Sequence, residues 1–232
     1  MTQRKIQYWV IPPKQNAQFA ANMENVLGIY KRPYDERFPV VCMDEQPVQL
    51  LEEVNIPIAA TKNHARRVDY EYKRAGTVSV FMFCEALAAW RDVSVRPRRT
   101  KIDWAIEVER LLSGRYADAQ KVTLVCDNLN THVTGSFYEA FDAEKARSLL
   151  DRLDLQYTPK HGSWLNIAEN ELSSMTRQAM HGQRFGKIEL IAKQVSAWTT
   201  QTNEKQRGVD WQFTVQQARQ KLRHLYPKVK FG

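Results

Sequence analysis

Cysteine is scarce in this sequence, and its scarcity excludes two classes of protein. The 232 residues contain three cysteines, without a C-x-x-C pair and without a nearby histidine at zinc-ligand spacing. A disulfide-rich secreted domain and a zinc finger are therefore excluded. Each cysteine lies within an apolar run, so we predict reduced core residues and a reducing compartment; they are Cys42, Cys84 and Cys126.

Long hydrophobic runs are also missing. The most apolar segment, 78–90, is about 13 residues long and contains Glu85, whereas a membrane-spanning helix needs about 20. Residues 1–13 include Tyr8, Trp9 and two prolines where a signal peptide requires a continuous apolar stretch. We therefore expect a soluble, cytoplasmic protein.

Glycine and proline are few, at nine each, which excludes a collagenous or broadly disordered chain. Hydrophobic residues make up 43% of the chain and charged residues 26%, as in an ordinary globular protein. Acidic residues number 26 against 34 basic ones, and the net charge of +8 favours a polyanionic partner such as nucleic acid. Most of the basic surplus falls within 61–101 and 201–232.

Short apolar segments predict a mixed α/β sheet. A buried strand over 39–43 ends at Asp44, and strands over 74–83 and 87–95 are expected to be its antiparallel neighbours. Further elements follow along the chain: a helix over 101–113, a strand over 121–126 ending at Asp127, a helix from Thr131 or Thr134 toward Leu150, a strand over 155–158 and a helical segment from Ser163. This order is typical of a five-stranded mixed sheet with crossover helices.

Two of the predicted strands end in an aspartate, and neighbouring parallel strands would bring Asp44 and Asp127 close together. Close carboxylates raise each other's pKa unless a cation neutralises them, and an all-oxygen cluster suits Mg²⁺ or Mn²⁺. The alternative is that Asp44 merely ends a strand and that Asp127, followed by Asn128, begins a turn.

A third carboxylate is available on the last predicted helix, whose apolar residues recur at helical spacing. Glu169 borders that stripe and is expected to face inward, whereas Glu171 lies about 200° further round the helix, toward solvent. The alternative is a capping box with Asn166 as N-cap and Glu169 at the third helical position. An Asp-Asp-Glu set of this kind can hold two metal ions for phosphodiester chemistry.

Several strings in the chain resemble the bacterial insertion-sequence branch of the mariner-like DDE transposases. They are C-M-D-E at 42–45, V-C-D-N-L-N-T-H at 125–132, H-G-S-W-L-N-I-A-E-N at 161–170, W-V-I-P-P at 9–13, I-Y-K-R-P-Y at 29–34 and V-D-W-Q-F-T at 209–214. The strings cover most of the chain, and their combination is specific although each one alone is weak.

The resemblance implies an RNase H-like fold with Asp44, Asp127 and Glu169 as catalytic carboxylates that bind Mg²⁺ or Mn²⁺, as two ions. It implies cleavage of double-stranded DNA at transposon ends and strand transfer into target DNA, commonly at TA dinucleotides, by a homo-oligomer associated with the nucleoid. Asn128, Asn130 and His132 become candidates for contact with these ligands or with DNA. The alternative for each is turn or cap chemistry.

The expected organisation is an N-terminal segment over 1–38, a catalytic core over 39–182 and a basic helical extension over 183–232. The family commonly carries two N-terminal helix-turn-helix modules, for which about 38 residues leave no room. Gln46 and Pro47 also depart from the family pattern. The alternatives are an RNase H-like nuclease without transposition, a DNA-binding remnant without catalysis, and an unrelated α/β domain in which Asp44 and Asp127 lie far apart.

Two groups of basic residues are candidates for non-specific contact with DNA phosphates. The alternative for both is a solvated surface. The first group precedes the second strand and the second lies in the loop before the predicted 101–113 helix; they are Arg66, Arg67, Lys73 and Arg74, and Arg96, Arg98, Arg99 and Lys101.

Overall fold

A computed structural model describes residues 11–12 and 14–228, so that most of the W-V-I-P-P string lies outside the described residues. Five strands form one mixed sheet in the order β3-β2-β1-β4-β5. The strands are β1 (Val40–Glu53), β2 (Tyr72–Glu85), β3 (Trp90–Arg96), β4 (Val122–Cys126) and β5 (Leu153–Tyr157). The helices are α1 (Ala17–Tyr30), α2 (Lys101–Ser113), α3 (Gly135–Ala140), α4 (Ala143–Asp151), α5 (Ile167–Met175), α6 (Ile188–Glu204) and α7 (Val215–Lys221). Short helical turns cover Ser163–Leu165, Thr176–Met180 and Arg223–Leu225.

The sheet confirms the predicted element order and the antiparallel pairing of the first two strands. β2 lies between β1 and β3 and is antiparallel to both, so the prediction that the third strand adjoins the first is wrong; β4 and β5 run parallel to β1. The prediction that the first strand ends at Asp44 is wrong. β1 continues to Glu53 because β2 pairs along its length, from the pair Cys42–Cys84 to the pair Glu53–Tyr72.

The helix α2 has the predicted bounds because its sequence carries both end signals. Thr100 and Asp103 form a capping box at its start, and Gly114 follows its last turn. The single helix predicted from Thr131 or Thr134 toward Leu150 is instead two short ones. The backbone is extended at Phe141, which ends α3, and the side chain of Asp142 caps the start of α4.

Each face of the sheet buries its own hydrophobic cluster. One cluster joins α1, α5, α6 and α7 to the face that carries Cys42 and Val125. The other joins α2, α3 and α4 to the face that carries Val41 and Met43. Consecutive β1 residues therefore point to opposite faces, as strand geometry requires. The described part of the chain contains no helix long and apolar enough to cross a membrane.

The first and last described helices are joined. Glu24 of α1 accepts hydrogen bonds from the guanidinium of Arg219 on α7 at 2.7 and 2.8 Å and from the Tyr226 hydroxyl at 2.8 Å. The backbone N–H of Asn16 donates to the carbonyl of Leu225 at 2.9 Å. These contacts link α1 and α7 on the same side of the sheet.

Candidate active site

The parallel pairing of β1 and β4 brings the two predicted aspartates together. Cys42 lies opposite Val125, and the same register two residues further on places Asp44 opposite Asp127. Asp44 lies within β1, while Asp127 directly follows β4. Burial, followed by the negative charge of Asp127, raises the pKa of Asp44 to about 7. The reading in which these aspartates lie far apart is therefore excluded.

The start of α5 is anchored beside Asp44. The side chain of Asn166 caps the helix by accepting from the backbone N–H of Ala168 at 3.1 Å, and its amide donates to the Met43 carbonyl at 2.9 Å. One buried asparagine thus fixes the helix to β1 at the residue before Asp44. This places Glu169, in the first turn of α5, over the two aspartates.

The carboxylate of Glu169 is not used as a helix cap. Its Oε2 is buried and makes no hydrogen bond among the described residues, so the predicted alternative of a capping box does not form. The negative charge of Glu169 contributes to the raised pKa of Asp44. The prediction that Glu169 faces the aspartates is consistent with this arrangement.

The prediction for Glu171 is wrong. Its side chain is 6% exposed and forms a two-pronged ion pair with the buried guanidinium of Arg91, at 2.9 and 3.0 Å. Arg207 adds a third contact at 3.0 Å. Helical periodicity gives the angle between Glu169 and Glu171. It does not show that β3 and the segment after α6 cover the side of the helix that carries Glu171.

The three carboxylates line one cleft with an empty volume of about 740 Å³, which opens at the carboxyl end of β4. Gln46 and Pro47, the two departures from the family pattern, lie on its rim. Pro47 fits this position because β4 stops pairing with β1 at Cys42, so that one edge of β1 is free.

The donor chemistry of the cleft fits a hard divalent cation. Asp44, Asp127 and Glu169 offer only carboxylate oxygens, which suit Mg²⁺ or Mn²⁺ better than zinc. The buried Glu169 Oε2 has no partner in the described chain, and the raised pKa of Asp44 reports unrelieved negative charge. A cation bound to the three would remove both penalties.

His132 is completely buried, so it does not face DNA. Its Nδ1 lies 2.8 Å from Asp127 Oδ1, and its Nε2 lies 3.1 Å from Glu45 Oε2. Burial alone would lower the pKa of His132, but the contacts with Asp127, Cys126 and Glu45 raise it to about 12. Asn128 and Asn130 are exposed on the loop between β4 and α3.

Glu45 is a functional candidate that the sequence reasoning missed. Alternation along β1 sends it to the face opposite Asp44, where its side chain is 2% exposed. Among the described residues, three ligand atoms that lie within 4.8 Å of one another belong to Glu45, Asp127 and His132. A carboxylate next to Asp44 in the C-M-D-E string was the available signal, but its partner lies 87 residues away.

The two basic groups differ in how their charges are paired. Arg66, Arg67, Lys73 and Arg74 are exposed and form no ion pair within the described residues. Arg66 and Arg67 lie in the connection between β1 and β2, whereas Lys73 and Arg74 belong to β2.

In the second group no acidic residue interrupts the run 96–101 in the sequence, but acidic side chains from elsewhere pair with most of it in space. Arg96 pairs with Asp103 and Glu107, Arg99 contacts Glu45 at 3.7 Å, and Lys101 pairs with Glu139. Arg98 is exposed and forms no ion pair in the described chain.

Solved structures similar to this chain include several complexes of the Mos1 transposase. A Mos1 strand transfer complex has a TM-score of 0.54 at 14% identity, covering 89% of this chain and 63% of that one. A paired-end complex with the left transposon end has a TM-score of 0.52 at 15% identity, covering 89% and 62%. A pre-cleavage transpososome has a TM-score of 0.51 at 16% identity, covering 91% and 68%.

These likenesses concern the fold, and they confirm the predicted RNase H-like architecture of a mixed five-stranded sheet flanked by helices. The chain spans 62–63% of the length of the first three Mos1 chains that it matches. No curated protein matches the sequence. The family model described as "DDE superfamily endonuclease" matches residues 39–191, which is well over half of the chain, so the protein belongs to this family.

Proposed function

We propose that this chain is the catalytic part of a DDE transposase, which cleaves DNA at transposon ends and joins the freed ends to target DNA with divalent metal. The observation that carries the proposal is the meeting of Asp44, Asp127 and Glu169 in one cleft within the matched region. The similar Mos1 structures include complexes with transposon-end DNA, with Mn and with Mg.

The proposed cofactor is Mg²⁺ or Mn²⁺, as two ions held by the three carboxylates. When bound, such ions activate an attacking water or hydroxyl and neutralise the leaving oxygen of a phosphodiester. The protein itself supplies position and charge. Asp44 and Asp127 are fixed by the sheet, and Asn166 fixes the helix that carries Glu169.

Asp44 must give up a proton before it can act as a ligand at neutral pH, because its pKa lies at about 7. The carboxylates contribute no covalent step. Phosphoryl-transfer chemistry depends mainly on positioning and on neutralisation of developing charge, and a rigid carboxylate set provides both.

The proposed partner is double-stranded DNA, bound by a homo-oligomer. The exposed basic residues Arg66, Arg67, Lys73, Arg74 and Arg98 offer unpaired positive charge for phosphate contact. Asn128 and Asn130 are exposed in the loop after β4 and stay predicted DNA or ligand contacts.

The test uses the full chain with supercoiled plasmid and with a labelled duplex that carries free 3′ hydroxyls, in Mg²⁺, Mn²⁺ or EDTA. We expect nicking and joined products in either metal and none in EDTA. Asp127→Asn should reduce both by more than about 100-fold, because even the outer partners of a metal ligand contribute 10–100-fold.

The matched control is Asp118→Asn, the same chemical change at an exposed aspartate outside the cleft. It should leave both products unchanged. Cutting without joined products would favour a nuclease without transposition, and metal-independent DNA binding without cutting would favour a remnant. Equal activity of Asp127→Asn and wild type would contradict the proposed site.

A further inference from the structure

The contacts of His132 reach from the cleft to the opposite face of the sheet. Its Nδ1 donates a hydrogen bond to the backbone carbonyl of Asp127 at 3.1 Å and lies 2.8 Å from the Oδ1 of the same residue. The ring therefore holds the main chain of Asp127 through a hydrogen bond and contacts its carboxylate at ion-pair distance, although Oδ1 makes no hydrogen bond among the described residues. No other described residue contacts that carboxylate as an ion pair.

The far edge of the ring meets Glu45. Nε2 lies 3.1 Å from Glu45 Oε2, and the exposed fractions of the two side chains are 0% and 2%. Arg99 lies 3.7 Å from the other Glu45 oxygen. A carboxylate this deeply buried needs compensating neighbours, and the side chains of His132 and Arg99 are the ones that lie close to its two oxygens.

The surroundings hold the ring in place. The Trp104 ring packs against it with centroids 5.2 Å apart, and the Tyr157 hydroxyl donates to the His132 backbone carbonyl at 2.6 Å. The position of His132 is thus set by α2 and by β5, independently of the cleft. A side chain fixed in this way can impose an orientation on its neighbour.

The three ligand atoms of Glu45, Asp127 and His132 are close enough together for a metal, but the ring geometry argues against one. A backbone carbonyl only accepts hydrogen bonds, so Nδ1 carries a hydrogen where it faces Asp127. Nε2 faces a carboxylate, which is also an acceptor. Nδ1 therefore has no lone pair free for a cation beside Asp127.

We propose that Glu45 and His132 form a buried strut that fixes the carboxylate of Asp127 in the orientation needed to bind metal in the cleft. Both are positioning residues, because the two side chains are buried, at 0% and 2% exposure, and act through Asp127. The strut rests on the proposed role of Asp127 as a ligand. It adds that the opposite face of the sheet helps to determine the metal affinity of the site.

The test measures Mn²⁺ affinity of the full chain by electron paramagnetic resonance and by calorimetry, together with Tm. His132→Asn keeps a donor toward Asp127 and removes the contact with Glu45, and Glu45→Gln keeps the shape and removes the charge. We expect each to weaken Mn²⁺ binding by about 10–100-fold, as outer partners of metal ligands do. In DNA cleavage, kcat should fall while the KM for DNA stays unchanged.

The double variant should bind Mn²⁺ no more weakly than the weaker single variant, because the two residues act as one unit. The control is Glu107→Gln, which alters a buried carboxylate paired with Arg96 and Arg110 on α2 and should lower Tm without changing Mn²⁺ affinity.

Two results would overturn the strut. One is a drop in Tm with Mn²⁺ affinity within twofold of wild type for both single variants. The other is a loss as large as that of Asp127→Asn, which would make Glu45 or His132 a direct ligand. If Asp127→Asn itself leaves Mn²⁺ binding intact, the proposed function fails, and this result is distinct from either outcome for the strut.

Discussion

Glu169 and Glu171 lie two residues apart on the same helix and have opposite surroundings. Glu171 is buried against Arg91 and Arg207, which satisfy both of its oxygens. Glu169 faces two aspartates, and its buried Oε2 has no partner in the described chain. One helix therefore carries a compensated carboxylate on one side and an uncompensated one on the other.

The difference shows that burial alone does not identify a functional carboxylate. Glu171 is the more buried of the two, yet its ion pairs account for it completely as a structural residue. Glu169 differs because it lies near other carboxylates and its own buried oxygen has no partner in the described chain. Of these two glutamates, the one without a cation is the candidate metal ligand, and substitutions at both positions test this difference.

The largest contrast is expected between two matched substitutions. Glu169→Gln should lower metal-dependent DNA cleavage by more than about 100-fold while leaving Tm unchanged or slightly raised, since it removes a repulsive charge. Glu171→Gln should lower Tm and leave kcat within about threefold well below the unfolding temperature. Cleavage assays and thermal unfolding of both variants measure the contrast. Similar activity losses in the two would remove the distinction.

Arg91→Met should destabilise the protein by about 3–5 kcal/mol, because it leaves the Glu171 charge buried with only Arg207 beside it. Urea unfolding measures the loss. The double variant Arg91→Met, Glu171→Leu should recover at least half of it, since removing both charges is often neutral. No recovery would mean that the guanidinium stabilises through its other contacts.

Asp44→Asn should stabilise the metal-free protein at alkaline pH. Its pKa of about 7 in the fold lies above the ordinary value of 3.8, so the unfolded chain loses this proton first as pH rises. The carboxyl therefore lowers wild-type stability progressively between about pH 4 and pH 7, by a few kcal/mol. Unfolding in EDTA at pH 4.5 and pH 8 should show a much larger gain for Asn at pH 8 than at pH 4.5. An equal gain at both pH values would contradict the raised pKa.

Paired and unpaired arginines can be compared in the same way, and the expected effect on DNA binding is smaller. Arg98 is unpaired in the described structure, whereas Arg96 pairs with Asp103 and Glu107. Arg98→Ala should reduce the slope of log K against log salt for DNA binding by about 1. Arg96→Ala should leave the slope nearly unchanged. Fluorescence anisotropy across a salt series distinguishes the two variants. Equal slopes would contradict the expectation that only the unpaired arginine contacts phosphate.

Much of the fold could be predicted because its signals are local. The bounds of α2 follow from Thr100, Asp103 and Gly114, and apolar runs mark β4. The neighbouring positions of Asp44 and Asp127 follow from the chain order of parallel strands. The end of β1 could not be predicted, because its continuation depends on pairing with β2, which begins about twenty residues later.

The sequence predicted the three carboxylates that line the cleft, but it did not predict the residues that surround them. Glu169 could be chosen because helical spacing aligns it with an apolar stripe. Glu45 could not be chosen in this way, because its contact is with His132, which lies in the loop between β4 and α3. Glu171 was misplaced for the same reason, since Arg91 comes from another strand. Sequence periodicity gives directions, but partners come from tertiary structure.

The joining of α1 to α7 has a consequence for how the chain is made. The carboxylate of Glu24 and the backbone N–H of Asn16 find their partners in residues 219–226. During synthesis α1 therefore lacks this part of its packing until those residues have emerged from the ribosome. Closing so long a loop carries a large entropic cost. In pulse-labelled refolding, amide protection in α1 should consequently appear after protection in the central strands.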